Sequence, residues 1–224
     1  MNCPPPPLDE RPRERLLRHG AAVLTDAELL ALMLRTGTAG CDAVGLGRAL
    51  LSRFGGLRLL LSASHDDLLA IPGLGSAKIC QLLAVLELAR RAMAEDLSRG
   101  SALNQPALVK QYCTAALGHR TVEHCLALYL DNQLRLIACE DVARGTLTQA
   151  SVYPREVVRS ALEHHAAALI LAHNHPSGAG QASLADQMLT RHLKQALALV
   201  DVRLIDHLIV AGTQVVSLAE LGQI

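Results

Sequence analysis

The chain has 224 residues, room for one large or two small domains, and half of them are apolar, enough for a well-formed core. Aromatic residues make up only 2%, so Leu, Ala, Val and Ile have to do the packing. Lys plus Arg equals Asp plus Glu at 21 each, which removes any broad electrostatic argument for a nucleic-acid or membrane surface.

Residues 1–12 are Pro-rich and polar and are expected to form a flexible, extended lead. They lack the apolar stretch of a signal peptide, and no later apolar run reaches membrane-spanning length. The six cysteines show no C-x-x-C pair, which argues against a disulfide framework or a thiolate zinc site and suits a reducing compartment. A cytoplasmic protein is expected.

From Arg13 to about Met93 the periodicity is helical. Thr25 opens a T-D-A-E capping box before ELLALMLRTG, which Gly37 should stop. In CDAVGLGRALLSRFGG, Asp42 is the candidate cap and Gly55-Gly56 the stop, and Ser64 opens the short helix SHDDLLA. IPGLGSAKI then leads into a long helix over 76–94, and its apolar-x-Gly-apolar-Gly form resembles a helix–hairpin–helix motif. Such a turn offers the N–H groups of Gly73 and Gly75 to a phosphate, with Lys78 one turn further on, so weak DNA contact without base readout is one expectation. Against it, residues 1–100 hold 12 basic and 11 acidic side chains, a difference of +1, and Asp66-Asp67 precede the turn. The turn serves equally to join two packed helices or to dock a protein. An all-helical domain over 1–94 is expected, then a polar linker, AEDLSRGSALNQ, closing at residue 105 before Pro106.

Beyond the linker, strands alternate with helices, which predicts an α/β, sandwich-like domain over 106–224. The elements in order are the helix PALVKQYCTAALG, the strands CLALYLD and LRLIACEDVARGT, the helix PREVVRSALEHH and the strand AALILAHNH. The helix SLADQMLTRHLKQALALV and a closing hairpin, VRLIDHLIVAG with QVVSL, complete it.

His173 and His175 sit at the end of the ALILA strand. Residues two apart on a strand share a face, so both imidazoles emerge together, with Cα atoms about 6–7 Å apart, while Asn174 faces away. Pro176-Ser177-Gly178-Ala179-Gly180 forces a turn, Ser183 starts a helix, and Asp186 falls on its first turn. An isolated His-x-His pair means little, and S-x-x-D is by itself an ordinary capping box. Their conjunction predicts three ligands within reach of one zinc ion. Two histidines and one carboxylate leave a fourth tetrahedral position to water, as in catalytic sites, where the ion acidifies water and polarises a carbonyl.

H-N-H-P-S-G at 173–178, seven residues between His175 and Ser183, and then S-x-x-D resemble the JAMM (MPN-plus) metalloprotease motif. Gly145-Thr146, ASVYPREVV at 150–158, ILAHNHPSG at 170–178 and Asp206-His207 are similar to the bacterial RadC-like family within it. The likeness covers nearly the whole chain, because that family also carries a helical N-terminal region. It implies a cytidine deaminase-like α-β-α domain, one zinc on His173, His175 and Asp186, and hydrolysis of a peptide or isopeptide bond in a protein or peptide substrate. It also implies that Ser183 helps stabilise the tetrahedral intermediate and that a glutamate on an upstream strand is the general base. That glutamate maps to Glu123 at the head of VEHCLALYLD, although His124 and Cys125 stand where an aromatic residue commonly follows.

From the residues alone, Glu123 has no advantage over Glu140 or Glu163. Ser183 serves equally as an N-cap, and Asn174 and Ser177 read as turn-forming residues. His207 reads either as support for the site or as a hydrogen-bonded core histidine, and His164-His165 as a helix end. Two functions compete: a zinc peptidase whose helical domain recruits its target, and a DNA-associated factor with a non-catalytic metal site. All four chemical positions are filled, which favours the enzyme.

Overall fold

The computed structural model describes residues 11–61, 63–145 and 152–224. The chain divides into two compact units, Met1–Leu88 and Ala89–Ile224.

The first unit contains α1 (Pro12–His19), α2 (Asp26–Leu34), α3 (Ala43–Phe54), α4 (Leu57–Leu61), α5 (His65–Leu69) and the start of α6 (Ser76–Arg99). The helix starts follow the short-range signals. Thr25 and Glu28 form a reciprocal capping box, Ser64 and Asp67 form another, and Asp42 accepts from Gly45 N–H. Helix α2 ends at Leu34 rather than at Gly37, because Arg35 takes a positive φ of 64° and turns the chain. Leu30, Leu34, Leu50, Leu60, Leu68 and Ile79 meet in one apolar cluster. Gly73 has φ +86°, and a Cβ there would stand 1.8 Å from Thr38 Cγ2, so this turn needs glycine for both conformation and space.

Of the lead expected over 1–12, residues 1–10 lie outside the described residues, and Pro12 already opens α1. The stretch read as linker is largely helical: α6 continues to Arg99, and Ala102–Asn104 form a 3₁₀ turn. Leu97 and Ala102 are buried in the second unit's core, which their polar neighbours concealed.

The second unit continues with α7 (Pro106–Leu117), β1 (His124–Leu130), β2 (Leu136–Arg144), α8 (Pro154–Glu163) and β3 (Ala168–Asn174). It ends with α9 (Leu184–Ala198), β4 (Arg203–Ala211) and β5 (Gln214–Ser217). The five strands lie in the order β2-β1-β3-β4-β5, with β3 and β4 parallel and the other neighbours antiparallel. Strands β1 and β3 are buried along their whole length, as their unbroken apolar runs require of strands covered on both faces. Leu126, Leu128, Ile170 and Ala172 pack with Val109, Tyr112 and Cys113 of α7 on one face. Ala127, Tyr129, Leu169 and Leu171 pack with Val157 of α8 and Leu193 and Leu197 of α9 on the other. The result is a mixed α/β unit with helices on both sides of one sheet.

Thr146, Ala150 and Ser151, which belong to the flanking segments singled out in the sequence, lie outside the described residues. Among the described residues, no helix is long and apolar enough to cross a membrane, and the five cysteines are unpaired.

Candidate metal centre

Strand β3 delivers His173 to the face covered by α9. His175 follows the strand's end, yet its N–H still donates to Val210 O at 2.9 Å, so the β3–β4 ladder holds its backbone. Pro176 and Gly178 (φ +80°) reverse the chain, with Gly178 N–H donating to His175 O at 3.0 Å. Ser183 then caps α9 and places Asp186 one turn in.

The three expected ligands converge. His173 and His175 bring their Nε2 atoms to 2.9 Å of each other. His173 Nε2 lies 3.2 Å from Asp186 Oδ1, and His175 Nε2 lies 3.4 Å from Asp186 Oδ2. Ligands at 2.0–2.1 Å on the corners of a tetrahedron are about 3.3 Å apart, so these separations suit one small cation. Asp186 is fully buried, and its Oδ1 is a buried oxygen without a hydrogen-bond partner. A buried carboxylate with one orphan oxygen, set against two imidazole nitrogens, is the donor set that a divalent metal satisfies, so these residues can hold a metal ion.

The surrounding bonds orient these ligands. His175 Nδ1 sits 2.6 Å from Ala179 O, and a carbonyl can only accept, so Nδ1 carries the proton and Nε2 keeps its lone pair for the centre. Ser183 Oγ donates to Asp186 Oδ2 at 2.7 Å and accepts from Asp186 N–H at 3.1 Å. Burial pushes the Asp186 carboxyl up, but the two imidazoles that face it and the Ser183 hydroxyl more than reverse this and hold it well below the usual carboxylate range. The Asp186 bond is also the main cause of the raised His175 pKa; burial opposes it, and the Glu123 charge adds to it.

Glu123 stands half-buried immediately before β1. Its carbonyl accepts from Gly145 N–H at 2.9 Å, extending the β1–β2 pairing by one residue. Cys125 pairs with His173, so a residue two places upstream lies on the same side of the sheet as that histidine. Glu140 and Glu163, its rivals in the sequence, are engaged elsewhere: Glu140 with Ser160 and His164, Glu163 with Arg159.

Asn174 plays a part that local sequence did not reveal, and His207, left between two readings, stands behind the site. Asn174 is no turn residue. It ends β3 with 2% exposure, accepts from His124 N–H at 2.8 Å, and donates to the carbonyls of Arg120 and Val122 at 3.2 and 3.0 Å. It thereby ties down the segment that carries Glu123. His207 is buried directly behind His173, at 2.8 Å from Nε2 to the His173 Nδ1, and burial pushes it down to about 3, which keeps it neutral. An irregularity in the β3–β4 register between Leu169 and Ile170 puts His207 on this face, opposite Leu171.

In the first unit, Lys78 Nζ donates to the carbonyls of Gly37 and Gly73 at 3.2 and 2.9 Å. The lysine singled out for phosphate contact therefore closes the turn that holds Gly73, while Gly75 is exposed beside it.

A family model for the RadC-like JAB domain matches residues 103–223, and one for the UPF0758 N-terminal region matches residues 6–80. The chain belongs to the RadC-like JAB-domain family. It is 66% identical to a UPF0758 protein of Bordetella bronchiseptica over the whole of both chains. To the UPF0758 proteins of Herminiimonas arsenicoxydans and Thiobacillus denitrificans it is 57% and 54% identical, with 97% of each chain covered. The RadC-like match takes in α7 to α9, the five strands and all three candidate ligands, in agreement with the motif resemblance.

Proposed function

We propose that the second unit is a zinc-dependent hydrolase that cleaves a peptide or isopeptide bond. The observation that carries this reading is the convergence of His173 Nε2, His175 Nε2 and the buried Asp186 carboxylate at 2.9, 3.2 and 3.4 Å, near the separations of a tetrahedral site. A zinc ion held there supplies Lewis-acid polarisation of a carbonyl and acidification of water.

The chain's own residues supply the rest. Glu123 takes a proton from the attacking water on its carboxylate and hands it to the leaving amine. Asn174 holds the approach to β1 so that this carboxylate stays beside the centre. Ser183 holds Asp186 through Oδ2, and any contact with a developing oxyanion requires the hydroxyl proton to leave that oxygen. In the first unit, DNA association is the second reading, drawn from the exposed Gly73 and Gly75. It requires Lys78 to abandon two carbonyls, which disfavours it.

The test is metal content by mass spectrometry together with cleavage of peptide and lysine-isopeptide libraries, on protein purified without chelator. Wild type and Glu123→Gln should carry close to one zinc per chain, and Asp186→Asn should carry little. Cleavage should fall about 10²–10⁴-fold in Glu123→Gln despite the retained metal. A wild type without bound divalent metal, or a Glu123→Gln variant with full turnover, would defeat the proposal.

A further inference from the structure

A hydrogen-bonded chain of buried groups runs from the backbone of one ligand to the ring of another. Thr190 Oγ1 lies 2.6 Å from Asp186 O, one turn back in α9. The same oxygen lies 2.6 Å from His207 Nδ1, and His207 Nε2 lies 2.8 Å from His173 Nδ1. His173 and His207 are fully buried, and Thr190 is 1% exposed.

Proton counting gives this chain a direction. A carbonyl oxygen cannot donate, so the single Thr190 hydroxyl proton goes to Asp186 O. Thr190 Oγ1 then has only acceptor capacity left for His207, whose Nδ1 must carry a proton. The neutral His207 ring therefore has a bare Nε2, which accepts from His173 Nδ1–H. His173 is left with its Nε2 lone pair facing His175 and Asp186. With one proton on His207, turning its bond to Thr190 would turn its bond to His173 as well and put a proton on His173 Nε2, where a cation has to bind. His175 needs no such chain, because the Ala179 carbonyl fixes its tautomer directly. His173 meets another histidine, which by itself fixes nothing.

We propose that Thr190 and His207 are positioning residues that lock His173 in the Nδ1-protonated tautomer, with the Asp186 backbone carbonyl setting the direction. The consequence for metal affinity rests on the zinc-site reading above, whereas the tautomer assignment stands on the hydrogen bonds and on a His207 ring that carries a single proton. Partners of this kind behind a ligating imidazole typically govern metal affinity by about 10–100-fold.

The experiment is side-chain ¹H–¹⁵N correlation NMR of the full-length, metal-free protein at about pH 8, followed by zinc titration against a chelating dye. In wild type, His207 should show a protonated Nδ1 and a bare Nε2. In Thr190→Val, which keeps the shape and removes the hydroxyl, the His207 proton should move to Nε2, and zinc should bind about 10–100-fold more weakly. Thr190→Ser should restore both signatures. A wild-type His207 protonated on Nε2 would overturn the proposal, as would unchanged zinc affinity in a folded Thr190→Val. Should Thr190→Val fail to fold, the wild-type tautomer alone decides. Should the wild type bind no zinc, the metal reading fails while the NMR result still judges the chain.

Discussion

Asn174 shows how much one buried amide can hold. Its carbonyl oxygen accepts from His124 N–H while its NH₂ donates to the Arg120 and Val122 carbonyls, so donors and acceptors are matched across two segments fifty residues apart. Replacing it by aspartate keeps one acceptor and turns an anionic oxygen toward two carbonyl oxygens. Asn174→Asp should therefore lower stability by at least the roughly 1–3 kcal/mol of an unsatisfied buried group, read as a shift in urea midpoint at constant m-value. An unshifted midpoint would mean that the amide does not carry the Arg120–His124 segment. The ligands His173, His175 and Asp186 were legible because strand alternation and a helix cap place them within one short stretch of chain. Asn174 and Thr190 were not, and His207 stayed between two readings, because their partners lie far away in sequence or depend on a register irregularity in β4 that no local pattern encodes. Glu123 became distinct only when the pairing of Cys125 with His173 set it two places upstream on that histidine's side of the sheet.

At the level of elements, the starts of α2, α3, α5 and α9 were readable because each cap is satisfied within three residues. Helix ends were not: α2 stops on Arg35, and α6 runs through a polar stretch because Leu97 has a core to enter. The box at α2 makes a further expectation. Glu28 accepts from Thr25 N–H at 2.9 Å and pairs with Arg15; the Thr25 backbone bond is the first cause of its lowered pKa. A depressed carboxyl pKa means that the folded state prefers the anion. This stabilisation is complete above the ordinary value of 4.5 and disappears as pH falls through the lower, folded value. Glu28→Gln should accordingly be less stable than wild type at pH 6 and show a shallower loss of stability on acidification below about pH 4.5. Parallel acid limbs for the two proteins, in urea melts followed by circular dichroism, would remove Glu28 as a contributor.

On the scale of the whole molecule, each of the two units has its own apolar core, and only the second contains the His-His-Asp group. A ligand that binds only the folded form stabilises what must unfold to release it, by about 2.7 kcal/mol at a hundred times its dissociation constant. His173 and Asp186 tie β3 to α9, so opening either element dismantles the site. Hydrogen exchange with zinc in excess, compared with chelator-treated protein, should therefore show added protection in peptides from β3 and α9. Peptides from α2 and α3, packed in the other core, should exchange at unchanged rates. Equal protection of α2 and α3 would mean that the two cores unfold together, so that the division at Leu88–Ala89 is one of contacts and not of stability. Protection absent from β3 and α9 would mean instead that the histidines and the aspartate converge without holding zinc.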